Sequence, residues 1–151
     1  MIFKYHKILA NLATVLVLAS CQNSSNQTAV AQANHQTETE KTATLQLNQG
    51  AKWKADESTN KQVRNMLNLV LKQYPVTMDE FKTVSESIKQ ETDKLISGCK
   101  MQGPDHEALH AWLLPFLETN KKLAYSNSVD DAKALYAEVQ MQLKSYFDYF
   151  N

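Results

Sequence analysis

The sequence predicts an all-α fold, an antiparallel up-down-up-down four-helix bundle that follows a signal peptide and a flexible tether. Apolar residues recur at helical spacing from Trp53 onward, and no segment shows the sustained alternation of a strand. Short connections between the helical segments make consecutive helices antiparallel neighbours. The segment 52–151 is long enough for one small core. The predicted domains are therefore a signal peptide at 1–20, a lipidated tether at 21–51 and the bundle at 52–151.

Residues 1–20 have the layout of an export signal. A short basic region precedes a mostly apolar run at 8–18, and the segment ends in small residues. Asn11 and Thr14 interrupt this run, which is also shorter than the ~20 apolar residues of a membrane span. The sequence therefore predicts a signal peptide that is removed on export.

The stretch Leu18-Ala19-Ser20-Cys21 resembles the lipobox of bacterial lipoproteins, in which an aliphatic residue and two small ones precede the lipidated cysteine. The resemblance implies a thioether-linked diacylglycerol on Cys21 and an acyl chain such as palmitate on its new amine, which together anchor a protein stably. Because Gln22 rather than Asp follows the cysteine, it also implies the outer membrane, bordering the periplasm, in a bacterium with two membranes. The membrane is the predicted partner, and the sequence identifies no protein partner.

The mature chain has a slight acidic excess and begins with a polar segment. Loss of Lys4 and Lys7 with the signal peptide leaves 14 basic side chains against 16 acidic ones, so the composition does not favour nucleic-acid binding. Residues 22–50 are rich in Gln, Asn, Thr, Ser and Ala and cannot bury enough apolar surface to fold. We expect a flexible tether with a reach of about 30 Å.

Helix one is predicted to begin near Ser58 or Thr59, with Gln62 as the capping-box partner of Thr59. It is predicted to end at Tyr74, because Pro75 follows. The residues assigned to its apolar stripe are Val63, Met66, Leu67, Val70 and either Leu71 or Tyr74.

Helices two, three and four each begin at a recognisable signal. Thr77 and Glu80 form a capping box for helix two, and Gly98 is predicted to end it. Pro104 suits the first turn of helix three, and Ser128 is predicted to start helix four. The residues assigned to the apolar sides are Phe81, Val84, Ile88, Leu95 and Ile96 in helix two, Leu109, Trp112, Leu113, Phe116, Leu117 and Leu123 in helix three, and Ala132, Leu135, Val139, Leu143, Tyr146, Phe147 and Phe150 in helix four.

This topology places several chemically distinctive residues at one end of the bundle. The start of helix one, the end of helix two, the start of helix three and the end of helix four all lie there. The residues expected to gather at this end are Trp53, Cys99, Met101, His106, His110 and the terminal aromatic residues. With Cys21 lipidated, Cys99 has no intramolecular disulfide partner, which for an exported protein calls for an explanation.

The four residues Cys99, Met101, His106 and His110 are candidate metal ligands. The two histidines are four residues apart and so share one helix face. With the thiol and thioether of the adjoining turn they would suit Cu(I), or zinc if Met101 stays outside the site. The alternative is that the cluster is only packing, with Cys99 a small buried apolar residue and Met101 filling the bundle end.

Haem is a further alternative ligand. Met66 and His110 lie at similar depth from the same end of the bundle, at 1.5 Å rise per residue. A Met/His axial pair across four helices resembles the cytochrome b562 arrangement in outline. However, the core residues are large and there is no C-x-x-C-H attachment motif, so haem is the weaker prediction.

A longer pattern joins the cluster to the start of the bundle. Trp53-Lys54 is followed by Cys99-x-Met101-x-Gly103-x-x-His106-x-x-Leu109-His110-x-Trp112-Leu113-x-Pro115. This arrangement resembles a group of small, uncharacterised bacterial lipoproteins, many from Bacteroidetes, and the likeness runs from Trp53 to the C-terminus. It implies that these residues belong to one unit, and it brings no established activity.

The sequence does not predict an enzyme. It contains no G-x-S-x-G and no phosphate-binding glycine loop, and its one H-E-x-x-H match, His106-Glu107-Ala108-Leu109-His110, contains the two histidines already assigned as candidate metal ligands. We therefore expect a lipid-anchored extracytoplasmic binding protein with a transition-metal site (copper or zinc) at one end of the bundle. The competing expectation is a structural or interaction lipoprotein with no ligand.

Replacing Cys21 tests the predicted anchor. In a cell that processes bacterial lipoproteins, Cys21→Ser should abolish lipid labelling and leave unprocessed or soluble protein, because only the thiol accepts the diacylglycerol. Labelling with a lipid precursor and membrane fractionation measure both effects. Unchanged labelling and membrane recovery would contradict the prediction.

Overall fold

A computed structural model describes residues 44–151, and the predictions for the signal peptide, the lipobox and Cys21 lie outside the described residues. The described chain is an antiparallel bundle of four helices, as predicted. The helices are α1 Glu57–Lys72, α2 Met78–Gly98, α3 Gly103–Ala124 and α4 Val129–Tyr149. Helix α1 packs against α2 and α4, and α3 packs against the same two helices from the other side. None of these helices is long and apolar enough to span a membrane.

The starts of α2 and α4 follow the predicted capping signals. The Thr77 hydroxyl accepts a hydrogen bond from the Glu80 N–H at 3.3 Å, and the Glu80 carboxylate accepts one from the Thr77 N–H at 2.9 Å. Hydrogen bonds to the Glu80 carboxylate, from the Val76 N–H first and then from Thr77, lower the pKa of Glu80. Ser128 caps α4 by accepting a hydrogen bond from the Asp131 N–H at 3.1 Å.

The predicted start of α1 is wrong. Its N-cap is Asp56, whose carboxylate accepts a hydrogen bond from the Thr59 N–H at 2.6 Å, so Ser58 and Thr59 lie inside the first turn. Aspartate is among the best N-cap residues. Here Asp56 is also held from outside the helix, by the loop that follows α2.

The predicted end of α1 is also wrong, since the helix ends at Lys72 and not at Tyr74. The Tyr136 hydroxyl on α4 lies 2.9 Å from the carbonyl oxygen of Val70 and 3.0 Å from that of Gln73. These carbonyls belong to the end of α1, where backbone acceptors lack partners within the helix. Tyr136, which the apolar pattern did not assign to the core, therefore closes this helix.

The apolar stripes form one core, with three exceptions. Leu71, Ile96 and Tyr74 were assigned to stripes but are 45%, 52% and 83% exposed. Each lies at the edge of its stripe or beyond its helix, so small errors in helix end and register suffice to turn it outward. The fully buried large side chains include Met66, Phe81, Ile88, Leu95, Leu109, Phe116, Leu123, Leu143, Tyr146 and Phe150.

A matched pair of leucine truncations tests this assignment of the core. Leu143 is fully buried and Leu71 is 45% exposed. Leu143→Ala should lower the free energy of unfolding by about 2–5 kcal/mol through lost apolar contacts and the cavity left behind. Leu71→Ala should change it by no more than about 0.5 kcal/mol. Chemical denaturation measures both, and equal losses would contradict the assignment.

Candidate functional site

An aromatic stack forms the floor of the bundle end where the candidate residues gather. The Tyr146 ring stacks on Phe150 at 4.7 Å between ring centroids and meets Trp112 edge to face at 4.9 Å. The Tyr146 hydroxyl donates a hydrogen bond to the Asn60 side-chain oxygen at 3.0 Å. Burial raises the pKa of Tyr146, which keeps this hydroxyl a neutral donor. The stack is buried and fills the core at this end of the bundle.

Trp53 joins the chain entering the bundle to the chain leaving it. The Trp53 N–H donates to the Tyr149 carbonyl at 2.8 Å, and the Asn151 N–H donates to the Trp53 carbonyl at 3.1 Å. Its indole N–H donates to the Gln46 carbonyl at 2.6 Å. The last part of the segment assigned to the tether, residues 44–51, therefore reaches the end of the bundle. There Leu45 packs against the core.

Asp56 connects the start of α1 to the loop between α2 and α3. One carboxylate oxygen caps α1 at Thr59, and the other accepts a hydrogen bond from the Lys100 N–H at 2.6 Å. Partial burial acts to raise the pKa of Asp56, but the hydrogen bonds from the N–H groups of Lys100 and Thr59 outweigh it, so the pKa is lowered. The bond to Lys100 fixes the backbone directly after Cys99.

Gly98 ends α2, as predicted, and it lies close to the side chain of Ser58. A Cβ atom on Gly98 would lie 2.6 Å from the Ser58 hydroxyl oxygen, so the end of α2 lies directly against the start of α1. The next residue, Cys99, is the C-cap of α2 and is half-buried with a free thiol. Close helix packing therefore sets where this thiol can lie.

His106 and His110 contact each other on the first turns of α3. Their Nε2 atoms are 3.2 Å apart, and the rings meet edge to face with centroids 4.5 Å apart. A hydrogen bond at this distance needs one nitrogen to donate and the other to accept. His106 is half-buried, and His110 is exposed. The pair can therefore receive a ligand from solvent without opening the core.

The histidine pair and Cys99 line one pocket between α2 and α3, which we call the histidine pocket. Its volume is about 190 Å³, and it is enclosed on its inner side by aliphatic side chains. The residues that line it are Leu95, Ile96, Cys99, His106, Leu109, His110, Leu113, Leu114 and Leu117. The structure thus brings together three of the four candidate ligands.

Two sequence candidates lie outside this pocket. Met101 is half-buried and packs against the core, and it does not line the histidine pocket. Met66 is fully buried in α1, and its sulfur accepts a hydrogen bond from the Thr92 hydroxyl at 3.3 Å. Met66 and His110 lie on α1 and α3, which make no direct contact, and Met66 is buried whereas His110 is exposed.

Within residues 44–151, no three His, Cys, Asp or Glu side chains are grouped as the ligands of one ion would be. The Cys99 sulfur therefore lines the same pocket as the two imidazoles without lying in a common coordination sphere with them. Rotation about χ1 moves a cysteine sulfur between staggered positions while the backbone stays in place. The structure thus supplies two nitrogen atoms in contact and one thiol nearby.

Comparison with known proteins adds no ligand or activity. No protein-family model, curated protein or solved structure matches this chain. The chemistry of the site is therefore argued from its own residues. Sequence reasoning missed Asp56 as a positioning residue, although its place three residues before Thr59 is a usable N-cap signal.

The pH dependence of stability tests the role of Asp56. Since its folded-state pKa is lowered, its contribution is fully present above the ordinary aspartate pKa of about 3.9 and is lost as the pH falls through the lowered value. Asp56→Ala should cost about 1–3 kcal/mol at neutral pH through the lost cap and loop contact. Asp56→Asn keeps one acceptor but should lack this acid-dependent loss. Thermal unfolding from pH 2 to 7 measures it, and identical profiles for wild type and Asp56→Asn would refute the role.

Proposed function

We propose that this protein is a lipid-anchored extracytoplasmic binding protein that binds a transition metal ion, Cu(I) or Zn(II), in the histidine pocket. The observation that carries the proposal is the 3.2 Å separation of the Nε2 atoms of His106 and His110 beside Cys99. Two nitrogen ligands at 2.0–2.1 Å from a tetrahedral ion lie about 3.3 Å apart. The pair therefore has the spacing of two ligands on one ion.

The helix supplies this spacing. Residues four apart lie one above the other on a helix, and α3 is continuous through both histidines. Little reorganisation is then needed when an ion replaces the contact between the two rings. Metal binding would require both Nε2 atoms to be unprotonated, so the ring that donates in this contact must change to the neutral tautomer that carries its proton on Nδ1.

Cys99 is the third ligand in this proposal. It lines the same pocket, and its backbone is held on both sides, by Gly98 against Ser58 and by Lys100 bound to Asp56. The remaining freedom is rotation of the side chain, and the proposal requires a rotamer that directs the sulfur toward the imidazoles. The thiol loses its proton on binding, since the thiolate is the metal-binding form.

Anchoring through Cys21 would hold the site near a membrane surface. The described chain enters at residue 44, at the same end of the bundle as the histidine pocket, because Trp53 pairs there with the end of α4. A tether leading to that end would join the anchor to the part of the bundle that holds the pocket. This arrangement suits a protein that receives its ligand in the cell envelope.

Metal titration of the full-length protein in detergent, under reducing conditions, tests the proposal. Wild type should bind one ion per chain. His106→Ala combined with His110→Ala should remove stoichiometric binding, and Cys99→Ala should weaken it more than about 100-fold, since loss even of an outer-shell partner costs roughly 10–100-fold. His35→Ala, at a histidine of the predicted tether, is the matched control and should bind normally.

The alternative functions predict different binding results in the same titration. An interaction lipoprotein without a ligand would bind no metal at micromolar concentration, and the substitutions would then change only stability. Haem held by Met66 and His110 would appear as haem uptake that Met66→Ala removes and Cys99→Ala leaves intact. Either result would overturn the metal proposal, provided circular dichroism shows that the variants are folded.

A further inference from the structure

A second pocket lies between α2 and α3, towards the end of the bundle opposite the histidine pocket. We call it the asparagine pocket. Its volume is about 440 Å³, within the range of roughly 300–1,000 Å³ that is typical of small-molecule sites. The residues that line it are Ser85, Glu86, Lys89, Leu117, Asn120, Lys121, Ala124 and Tyr125.

The side chain of Asn120 is buried in the wall of this pocket, with the residue only 7% exposed. Its Nδ2 atom donates a hydrogen bond to the Ser85 carbonyl at 3.0 Å, and the Ser85 hydroxyl donates one to the Asn120 carbonyl at 3.0 Å. This pair of hydrogen bonds links α2 to α3. It also fixes the orientation of the amide, because a rotated amide would place two carbonyl oxygens against each other.

The Oδ1 atom of Asn120 has no hydrogen-bond partner among the described residues. A buried acceptor in a native protein is nearly always paired, either with the protein or with ordered water. The link between α2 and α3 uses the amide nitrogen and not this oxygen, so helix packing does not account for it. The pocket therefore offers an acceptor to a group that carries an N–H or O–H donor.

Charged side chains of both signs line the same pocket. Glu86 on α2 and Lys121 on α3 directly follow the two residues of the hydrogen-bonded pair. Both are exposed, and neither forms an ion pair within residues 44–151. The third charged residue, Lys89, is paired with Asp93 at 2.6 Å. The pocket thus presents one unpaired carboxylate and one unpaired ammonium group.

We infer that the asparagine pocket binds a small zwitterion, an amino acid or short peptide whose ammonium and carboxylate groups are both free. The ammonium supplies the N–H donor that the Asn120 Oδ1 atom lacks, and Glu86 attracts its charge. Lys121, on the neighbouring helix, attracts the carboxylate. Hydrogen bonds assisted by charge in this way are stronger than neutral ones. The apolar part of the ligand contacts Leu117 and Tyr125.

Other classes of ligand fit this set of groups less well. A phosphate group would be repelled by the unpaired carboxylate of Glu86, and a metal cation would be repelled by the ammonium groups of Lys89 and Lys121. A purely apolar molecule would leave the Asn120 oxygen buried and unpaired, which is costly. A ligand with one charge of each sign is the class that satisfies all three groups.

Access to the acceptor requires a small movement of a side chain. The Asn120 Oδ1 atom has almost no surface accessible to water, so a donor reaches it only after a neighbour is displaced. Lys121 and Tyr125 line the pocket with exposed side chains, and Tyr125 is 76% exposed. Exposed side chains change rotamer within picoseconds to nanoseconds, so the movement is not a barrier to binding.

Binding of three related dipeptides tests the inference on the full-length, isotope-labelled protein in detergent. L-alanyl-L-alanine carries both charges, its N-acetyl derivative lacks the ammonium, and its C-terminal amide lacks the carboxylate. In NMR titrations the zwitterion should shift the side-chain signal of Asn120 and bind at least about tenfold more tightly than either derivative. Equal affinities for the three compounds would overturn the zwitterion as the ligand class. No shift up to about 10 mM would overturn the site and leave the Asn120 oxygen as a water-binding atom only.

Charge-removing variants assign each charge of the dipeptide to its partner. Lys121→Gln should weaken the dipeptide about threefold or more and leave the affinity of the C-terminal amide unchanged. Glu86→Gln should weaken it similarly and leave the affinity of the N-acetyl derivative unchanged. Lys82→Gln, at an exposed lysine of α2 outside the pocket, is the matched control and should alter no affinity. Equal effects of Lys121→Gln on the dipeptide and its amide would contradict the inferred orientation.

The result is independent of the proposed metal site. The asparagine pocket contains none of the candidate metal ligands, and Leu117 is the one residue that lines both pockets. Loss of dipeptide binding would therefore leave metal binding by the histidine pocket intact, and failure of metal binding would leave the asparagine pocket intact.

Discussion

The carboxylate of Asp56 is the contact on which the arrangement of the candidate site depends. It caps α1 with one oxygen and binds the loop after Cys99 with the other. The residues before it make similar connections, since Trp53 pairs with the end of α4 and the Lys54 N–H donates to Asp105 at the start of α3 at 3.0 Å. The short segment 53–56 thus joins all four helices at one end. Because Asp105 directly precedes His106, this segment also fixes where the histidine pair begins.

The sequence predicted the helices well because the signals that specify them are local. The capping box at Thr77 and Glu80 and the cap at Ser128 act over three residues, and the apolar period needs only one helix. The start of α1 was harder because three capping residues, Asp56, Ser58 and Thr59, occur within four positions. A hydrogen bond from Lys100, distant in the sequence, favours Asp56 among them, and no local pattern contains that information.

The candidate site was predictable in its location and only partly in its composition. Connectivity placed Cys99, His106 and His110 at one end, and the four-residue spacing on a helix placed the two imidazoles in contact. The position of Met101 was not predictable, because it lies in the short connection between α2 and α3, where no helical period fixes the direction of a side chain. The aliphatic lining of the pocket was also not fully predicted from the sequence. Ile96 had been assigned to the core, but it is exposed and lines the pocket.

The central claim is that two histidines and one cysteine of this pocket bind a single ion. X-ray absorption spectroscopy of the metal-loaded full-length protein tests it most directly, because it reports the type and number of atoms around the ion. The account predicts two imidazole nitrogens at about 2.0 Å and one sulfur at about 2.3 Å. A shell of nitrogen and oxygen without sulfur would contradict it.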